Sequence, residues 1–148
     1  MKKVVAVVVM LLALTAAALA VAAATVKHTV SARLTPGADV PKPKGAAKAK
    51  GSFSGTYVVE KKDVKLTWNL AFAGLSGGAK AAHIHLGKPG VSGKVIVALC
   101  APCTSGRGGT SLISKAVLKS IQAGRTYVNV HTKKNPAGEI RGQVRVGS

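Results

Sequence analysis

The chain has 148 residues, of which 22 are Lys or Arg and only 4 are Asp or Glu, so its formal net charge is +18. This length allows one domain, and so few carboxylates argue against a hydrolase built on paired acids. The positive charge favours salt-dependent association with polyanions.

The chain begins with a segment that has the layout of a secretory signal. Lys2 and Lys3 precede an apolar run over residues 4–24, which becomes rich in alanine toward its end. This layout predicts a cleaved signal peptide over residues 1–24. The alternative is an uncleaved membrane anchor, because about 20 apolar residues can also span a bilayer. On either interpretation, the domain over residues 25–148 is expected to be secreted or extracytoplasmic.

After residue 24 the sequence changes to short alternating segments separated by turn residues. Alternation of apolar and polar residues indicates strands with one buried face, and it is clearest in 64–73, where Trp68 falls on the apolar face. The segment 35–51 is rich in Pro, Gly and Lys and is predicted to be a loop. Strands are predicted at residues 28–34, 52–60, 64–73, 80–86, 94–99, 125–131 and 138–146.

Cys100 and Cys103 form the motif C-A-P-C between two predicted strands. In an exported chain this spacing favours a local disulfide that pins a turn. The alternative is a thioredoxin-type redox pair, which requires a helix to begin after the first cysteine so that the pKa of its thiol is lowered. Residues 104–110 are instead predicted to be a loop, which favours the structural disulfide.

A short helix is predicted over residues 114–123, with Gly124 as its C-terminal glycine, while residues 110–117 fit strand and helix equally well. The number of strands and the spacing of the turns are typical of antiparallel sandwiches. We therefore predict an all-β fold, a two-sheet antiparallel Greek-key sandwich with one short helix.

Two separated motifs resemble the CHRD family, the domain named after chordin. They are A-H-I-H-x-G-x-x-G-x-x-G-x-V at 82–95 and Y-V-N-V-H-T-x-x-N-P-x-G-E-I-R-G-Q at 127–143. Upstream, LTPGADVP at 34–41 looks like the opening segment of the family, with Asp39 in place of the more usual glutamate. The resemblance covers roughly residues 27–146. It implies an immunoglobulin-like or superoxide-dismutase-like sandwich outside the cell, and it supplies no reaction.

The same two motifs hold three of the four histidines. His83 and His85 are one residue apart on a predicted strand, so both imidazoles project from one face. His131, at the end of another strand, would complete a three-nitrogen site of the type that copper and zinc accept. The alternative is structural, because histidines near strand ends also bond to backbone carbonyls. The sequence thus presents a candidate metal site and a purely structural interpretation.

Three residues of the second motif are candidates for supporting the histidines. Asn129 and Glu139 are predicted to bond to the imidazoles, and Arg141 shares a strand face with Glu139 and could join the same network. Copper-zinc superoxide dismutases have a similar H-x-H strand but use further histidines, whereas only His28 remains here. No nucleophile or second positioned acid is present, so no catalytic residue is assigned.

These features lead to three functional hypotheses. The first is an exported binding or structural module at the cell envelope with a three-histidine metal site. The second is a metal-dependent redox enzyme that uses the same histidines. The third is a basic surface protein that binds an anionic envelope polymer or lipid surface, with simple solubility as the alternative explanation of the charge. Nucleic acid is disfavoured as a partner by the export signal and by the scarcity of aromatic residues that would stack bases.

Overall fold

The computed structural model describes residues 26–147 of the chain. The predicted signal or anchor segment, residues 1–24, lies outside the described residues. Within 26–147, no helix combines the length and the apolar character needed to span a bilayer.

The described chain forms nine strands and one α-helix. The strands are β1 (His28–Leu34), β2 (Lys50–Val59), β3 (Val64–Ala73), β4 (Ala79–Leu86), β5 (Val95–Cys100), β6 (Arg107–Ile113), β7 (Thr126–Thr132), β8 (Ile140–Gln143) and β9 (Arg145–Val146). The helix α1 (Lys115–Gln122) lies between β6 and β7, and a single 3-10 turn (Pro36–Ala38) follows β1. Six of the seven predicted strands and the short helix are therefore confirmed, with shifts of a few residues at their ends.

The strands form two antiparallel sheets. The first has the order β6-β3-β2-β1-β9 and the second has the order β5-β4-β7-β8. In the first sheet β1, β2 and β3 are consecutive and β9 returns to lie beside β1, which is the strand order of a Greek key. The predicted all-β sandwich is confirmed.

The core lies between the two sheets and comes from the apolar face of each strand. In β3, Val64, Leu66 and Leu70 are completely buried and Trp68 is buried with them, while the alternate residues face outward. In the second sheet, Ile84 and Val128 are also completely buried. Because side chains alternate along a strand, their neighbours in sequence lie on the outer face of the second sheet.

The helix is bounded by the capping residues that the sequence contains. The Ser114 side chain accepts a hydrogen bond from the Val117 amide at 3.2 Å, which satisfies one of the free amides of the first turn. Gly124 follows the helix with φ at 64°, a conformation that glycine adopts without strain. Leu118 and Ile121 bury the apolar side of the helix.

The prediction of a loop over residues 104–110 is wrong for its second half, because strand β6 begins at Arg107. Its glycines suggest a loop, but Gly109 pairs with Trp68 of β3. A Cβ at Gly109 would lie 2.6 Å from Cζ2 of the indole, so the glycine makes room for the ring. The indole nitrogen of Trp68 donates to the Ser111 hydroxyl at 3.1 Å.

The single strand predicted over residues 138–146 is also corrected. The segment contributes β8 to the second sheet and β9 to the first sheet. Val144 lies between them and is only 1% exposed. The chain changes sheets at this residue, and one continuous alternating pattern in the sequence conceals the change.

Cys100 and Cys103 form the predicted disulfide, with their Cα atoms 5.3 Å apart. Both residues are buried at the end of β5. The motif leads through residues 104–106 into β6 and no helix follows the first cysteine, as the structural interpretation of the pair required.

Candidate metal centre

The three histidines of the two motifs lie on neighbouring strands of the second sheet. His83 and His85 flank Ile84 on β4, and since Ile84 points into the core, both imidazoles are on the outer face. His131 of β7 pairs with Ala81 of β4, two residues before His83. The pairing of β4 with β5 shifts register beside both His83 and His85, an irregularity that re-aims side chains. The fold thus brings residues 48 positions apart in sequence together on one face.

The imidazoles form a compact cluster. One ring nitrogen from each of His83, His85 and His131 lies within 4.8 Å of the other two. His83 Nδ1 is 3.2 Å from His131 Nε2, and the ring centroids are 5.0 to 5.7 Å apart. The three histidines could therefore hold a metal ion.

Two of the rings are oriented by backbone carbonyl groups. His85 Nδ1 lies 2.9 Å from the Gly93 oxygen, and His131 Nδ1 lies 3.0 Å from the Pro136 oxygen. A carbonyl oxygen only accepts, so each Nδ1 carries the hydrogen and each Nε2 keeps a lone pair. In the part of the chain that the structure describes, His85 Nε2 is buried and has no hydrogen-bond partner. This is the arrangement by which proteins orient metal-binding imidazoles.

Tyr127 fixes the position of His85 in two ways. Its ring stacks on the imidazole with centroids 4.9 Å apart and an interplanar angle of 10°. Its hydroxyl accepts a hydrogen bond from the Gly93 amide at 3.0 Å, and Gly93 supplies the carbonyl that orients His85. A Cβ at Gly93 would lie 1.6 Å from the Leu86 oxygen, so only glycine fits at this position. Tyr127 therefore supports both the ring and the carbonyl group that holds it.

Arg141 contacts the same tyrosine. Its guanidinium carbon lies 3.4 Å from the centroid of the Tyr127 ring, a cation–π contact. Because β7 lies between β4 and β8, His85 and Arg141 contact the ring from opposite sides. The guanidinium also donates to the Lys88 oxygen at 2.9 Å. Arg141 is thus one side chain removed from the histidine cluster.

The cluster favours neutral imidazoles. Burial, helped by the nearby His83 and His85 and opposed by the hydrogen bond to Pro136, lowers the pKa of His131 to about 4. Burial, followed by the proximity of His85, also lowers the pKa of His83. Neutral imidazole is the form that binds metal, so the lowered pKa values favour the binding form of both ligands at pH 7.

Metal-free protein is expected to lose stability as the pH falls from about 6.5 toward 4. The unfolded chain binds a proton at His131 near its ordinary pKa, whereas the folded chain does so only near pH 4, so stability rises with pH across this window. A difference of one bound proton changes the free energy of unfolding by at most about 1.4 kcal/mol per pH unit, and the partial exposure of the ring reduces this slope. Urea unfolding at several pH values measures the slope.

In that experiment His131→Gln should flatten the slope. The control is His28→Gln, because His28 lies in the other sheet and stacks on Tyr57. An unchanged slope in His131→Gln would show that the folded protein accepts protons at this ring as readily as the unfolded chain does.

Two of the predicted supporting residues, Asn129 and Glu139, form their side-chain hydrogen bonds with groups other than the three histidines. Asn129 pairs with His83 across β4 and β7, but its amide donates to Asp39 Oδ1 at 3.3 Å and to the Ala137 oxygen at 3.2 Å. Glu139 is completely buried, and its carboxylate accepts hydrogen bonds from Thr132 at the end of β7 and from Ser76 and Asn135 of the neighbouring loops. In residues 26–147, the groups that bond to the outer nitrogens of His85 and His131 are backbone carbonyls.

Asp39 is a buried acid whose role the sequence did not reveal. It is 1% exposed, and it lies close enough to Gly138 that a Cβ there would be 2.4 Å from its Oδ2. Burial raises the pKa of its carboxyl group, while the Val40 amide, Arg141, Asn129 and His85 oppose the increase. The sequence feature that could have identified Asp39 is its place in the opening segment 34–41. For Gly93, the corresponding feature is the regular glycine spacing after the H-x-H pair.

Comparison with known proteins agrees with the two motifs. The family model of the CHRD domain matches residues 30–144. No curated protein and no solved structure gives a significant match. The matched span contains His83, His85 and His131 together with the residues that orient them.

Proposed function

We propose that this chain, which belongs to the CHRD domain family, is an exported binding or structural module of the cell envelope that holds one copper or zinc ion. The ligands are His83 and His85 of β4 and His131 of β7. The observation that carries the proposal is the convergence of three ring nitrogens within 4.8 Å. Three imidazoles with a further open coordination position are a donor set used by both metals.

The unpartnered nitrogen of His85 favours a metal over a purely structural cluster. The contact between His83 and His131 satisfies two of the inner nitrogens without any ion. His85 Nε2 has no such contact although the residue is only 8% exposed, and a buried unsatisfied polar group costs roughly 1 to 3 kcal/mol. A metal ion bound at this lone pair would offset that cost.

The surroundings support binding more than catalysis. Among residues 26–147, no carboxylate bonds to any of the three histidines, and the two cysteines are joined in a disulfide. A redox enzyme at this site would need a group that delivers protons to the open position. Binding is therefore the function that the geometry supports best.

The test is metal stoichiometry of the exported form, residues 25–148. Chelator-stripped protein is loaded separately with Cu(II) and Zn(II) at pH 7, desalted and analysed for metal. About one equivalent of one of these ions is expected, as for a single three-ligand site. The triple variant His83→Ala, His85→Ala, His131→Ala should retain none, whereas His28→Ala should retain the full amount. Wild-type protein that retains no metal, or a triple variant that retains as much, would overturn the proposal.

A further inference from the structure

The exposed charge of the domain is almost entirely positive. Of its four acidic residues, Asp39 and Glu139 are buried, so the exposed acids are Glu60 and Asp63 at the end of the β2–β3 hairpin. Among the basic residues of 26–147, Arg141 is buried and all the others are exposed. The opposite end of the sandwich therefore presents lysines with no acid at the surface beside them.

At that end, two loops enclose an open cavity of about 600 Å³. The loop before β4 and the loop after β7 form its walls. All three charged residues that line it are lysines, namely Lys80, Lys133 and Lys134. Its other lining residues are small, namely Ser76, Gly77 and Gly78. The charged lining of the cavity is thus entirely lysine.

A second basic cavity continues from the first. It has a volume of about 220 Å³, and Lys42 and Lys44 of the β1–β2 loop line it. Lys134 lines both cavities. The five lysines therefore border two cavities that share Lys134, and they lie on the three loops and at the start of β4. We call this surface the lysine groove (Lys42, Lys44, Lys80, Lys133 and Lys134).

Buried hydrogen bonds hold the three loops together beneath the lysine groove. The Glu139 carboxylate accepts from Ser76 of the first loop and from Asn135 of the second. Asn135 also bonds to the backbone of Lys44 in both directions, at 2.7 and 3.2 Å. Four hydrogen bonds satisfy the Glu139 carboxylate, and both acids of this region, Glu139 and Asp39, lie below the surface. The positions of the lysine-bearing loops are thus set before any ligand binds.

We propose that the lysine groove binds a linear, phosphate-bearing polyanion. Lysine ammonium groups bind phosphate as point charges, without the fixed bidentate geometry of arginine. A continuous path across two cavities fits an extended chain better than a single small anion. None of the exposed large hydrophobic side chains lines either cavity, so the surface lacks the apolar residues that insert into a membrane. The inference does not depend on the metal site.

The probe is inorganic polyphosphate, titrated into the exported form by calorimetry. The test variant Lys80→Gln, Lys133→Gln, Lys134→Gln removes three charges from the lysine groove. The control variant Lys62→Gln, Lys65→Gln, Lys119→Gln removes three exposed charges elsewhere. Because contacts to phosphate dominate such binding, the test variant should lose at least about tenfold in affinity near 50 mM salt and show a shallower salt dependence. The control variant, which alters only distant screened charge, should lose less than about threefold.

Each result has a definite meaning. Equal losses in the two variants would show that overall charge and not the groove binds the chain, and would overturn the proposal. Binding to vesicles of anionic phospholipid without binding to polyphosphate would overturn it in favour of a lipid surface. The triple histidine variant should bind polyphosphate normally, so failure of the metal proposal and failure of this one are distinguishable. Circular dichroism and thermal unfolding confirm that all variants are folded.

Discussion

Replacing His85 with alanine is expected to reduce the affinity for copper or zinc by at least about 100-fold, more than the loss of an orienting partner usually causes. His85 is the most buried of the three histidines and supplies the lone pair that no group in the described chain satisfies. The other two imidazoles would remain, but a two-nitrogen site lacks the third ligand that copper and zinc sites of this type have. Competition with a chromophoric chelator at pH 7 measures the change in affinity.

A graded control separates the ligand from its support. Tyr127→Phe keeps the ring that stacks on His85 and removes only the hydroxyl that holds Gly93. It should weaken metal binding by about tenfold, which is the lower part of the range for orienting partners. His28→Ala should have no effect. Equal affinities of His85→Ala and wild-type protein would remove His85 from the site.

Metal binding should also increase the free energy of unfolding of the domain. An ion that binds only the folded state at about 1,000 times its dissociation constant stabilises that state by about 4 kcal/mol. At the same metal concentration, His85→Ala should reduce this gain to about 1.4 kcal/mol or less, because a site 100-fold weaker is then only about tenfold above its dissociation constant. The site thus links the outer face of the second sheet to the stability of the sandwich.

The part of this site that the sequence predicts is the part that local geometry dictates. His83 and His85 share a face because side chains alternate along any strand, and the flanking apolar residue, Ile84, identifies that face as the outer one. The helix over residues 114–123 was also predictable, since Ser114 and Gly124 mark its ends with local chemistry.

The rest of the site depends on contacts between segments that are distant in sequence. Gly93 and Pro136 orient the imidazoles through backbone carbonyls, and no residue type reveals where a carbonyl group will point. Glu139 illustrates the same difficulty. Its position two residues before Arg141 suggests a shared face, but the chain enters β8 only at Ile140, and the carboxylate turns instead toward the loop around Ser76.

Replacing Glu139 with glutamine is expected to destabilise the folded protein by roughly 2.5 to 6 kcal/mol at pH 7, the sum of a lost charged hydrogen bond and an unsatisfied donor. The carboxylate accepts four hydrogen bonds from Ser76, Thr132 and Asn135. Glutamine offers one acceptor oxygen, and its amide would face donors on the other side. Urea unfolding gives the change in free energy. The control is Glu60→Gln, an exposed acid whose replacement should change stability by less than about 0.5 kcal/mol.

The difference between Glu139→Gln and wild-type protein should shrink at acid pH. Burial alone would raise the pKa of Glu139, but the hydrogen bonds from Ser76, Thr132 and Asn135 outweigh it and hold the pKa below 4.5. The charged carboxylate therefore contributes its full stability above pH 4.5, and this contribution is lost as the pH falls through the lower pKa of the folded state. Other groups titrate in both proteins, so the difference between them isolates Glu139. A glutamine variant as stable as Glu60→Gln at pH 7 would show that the three loops are held together without this carboxylate.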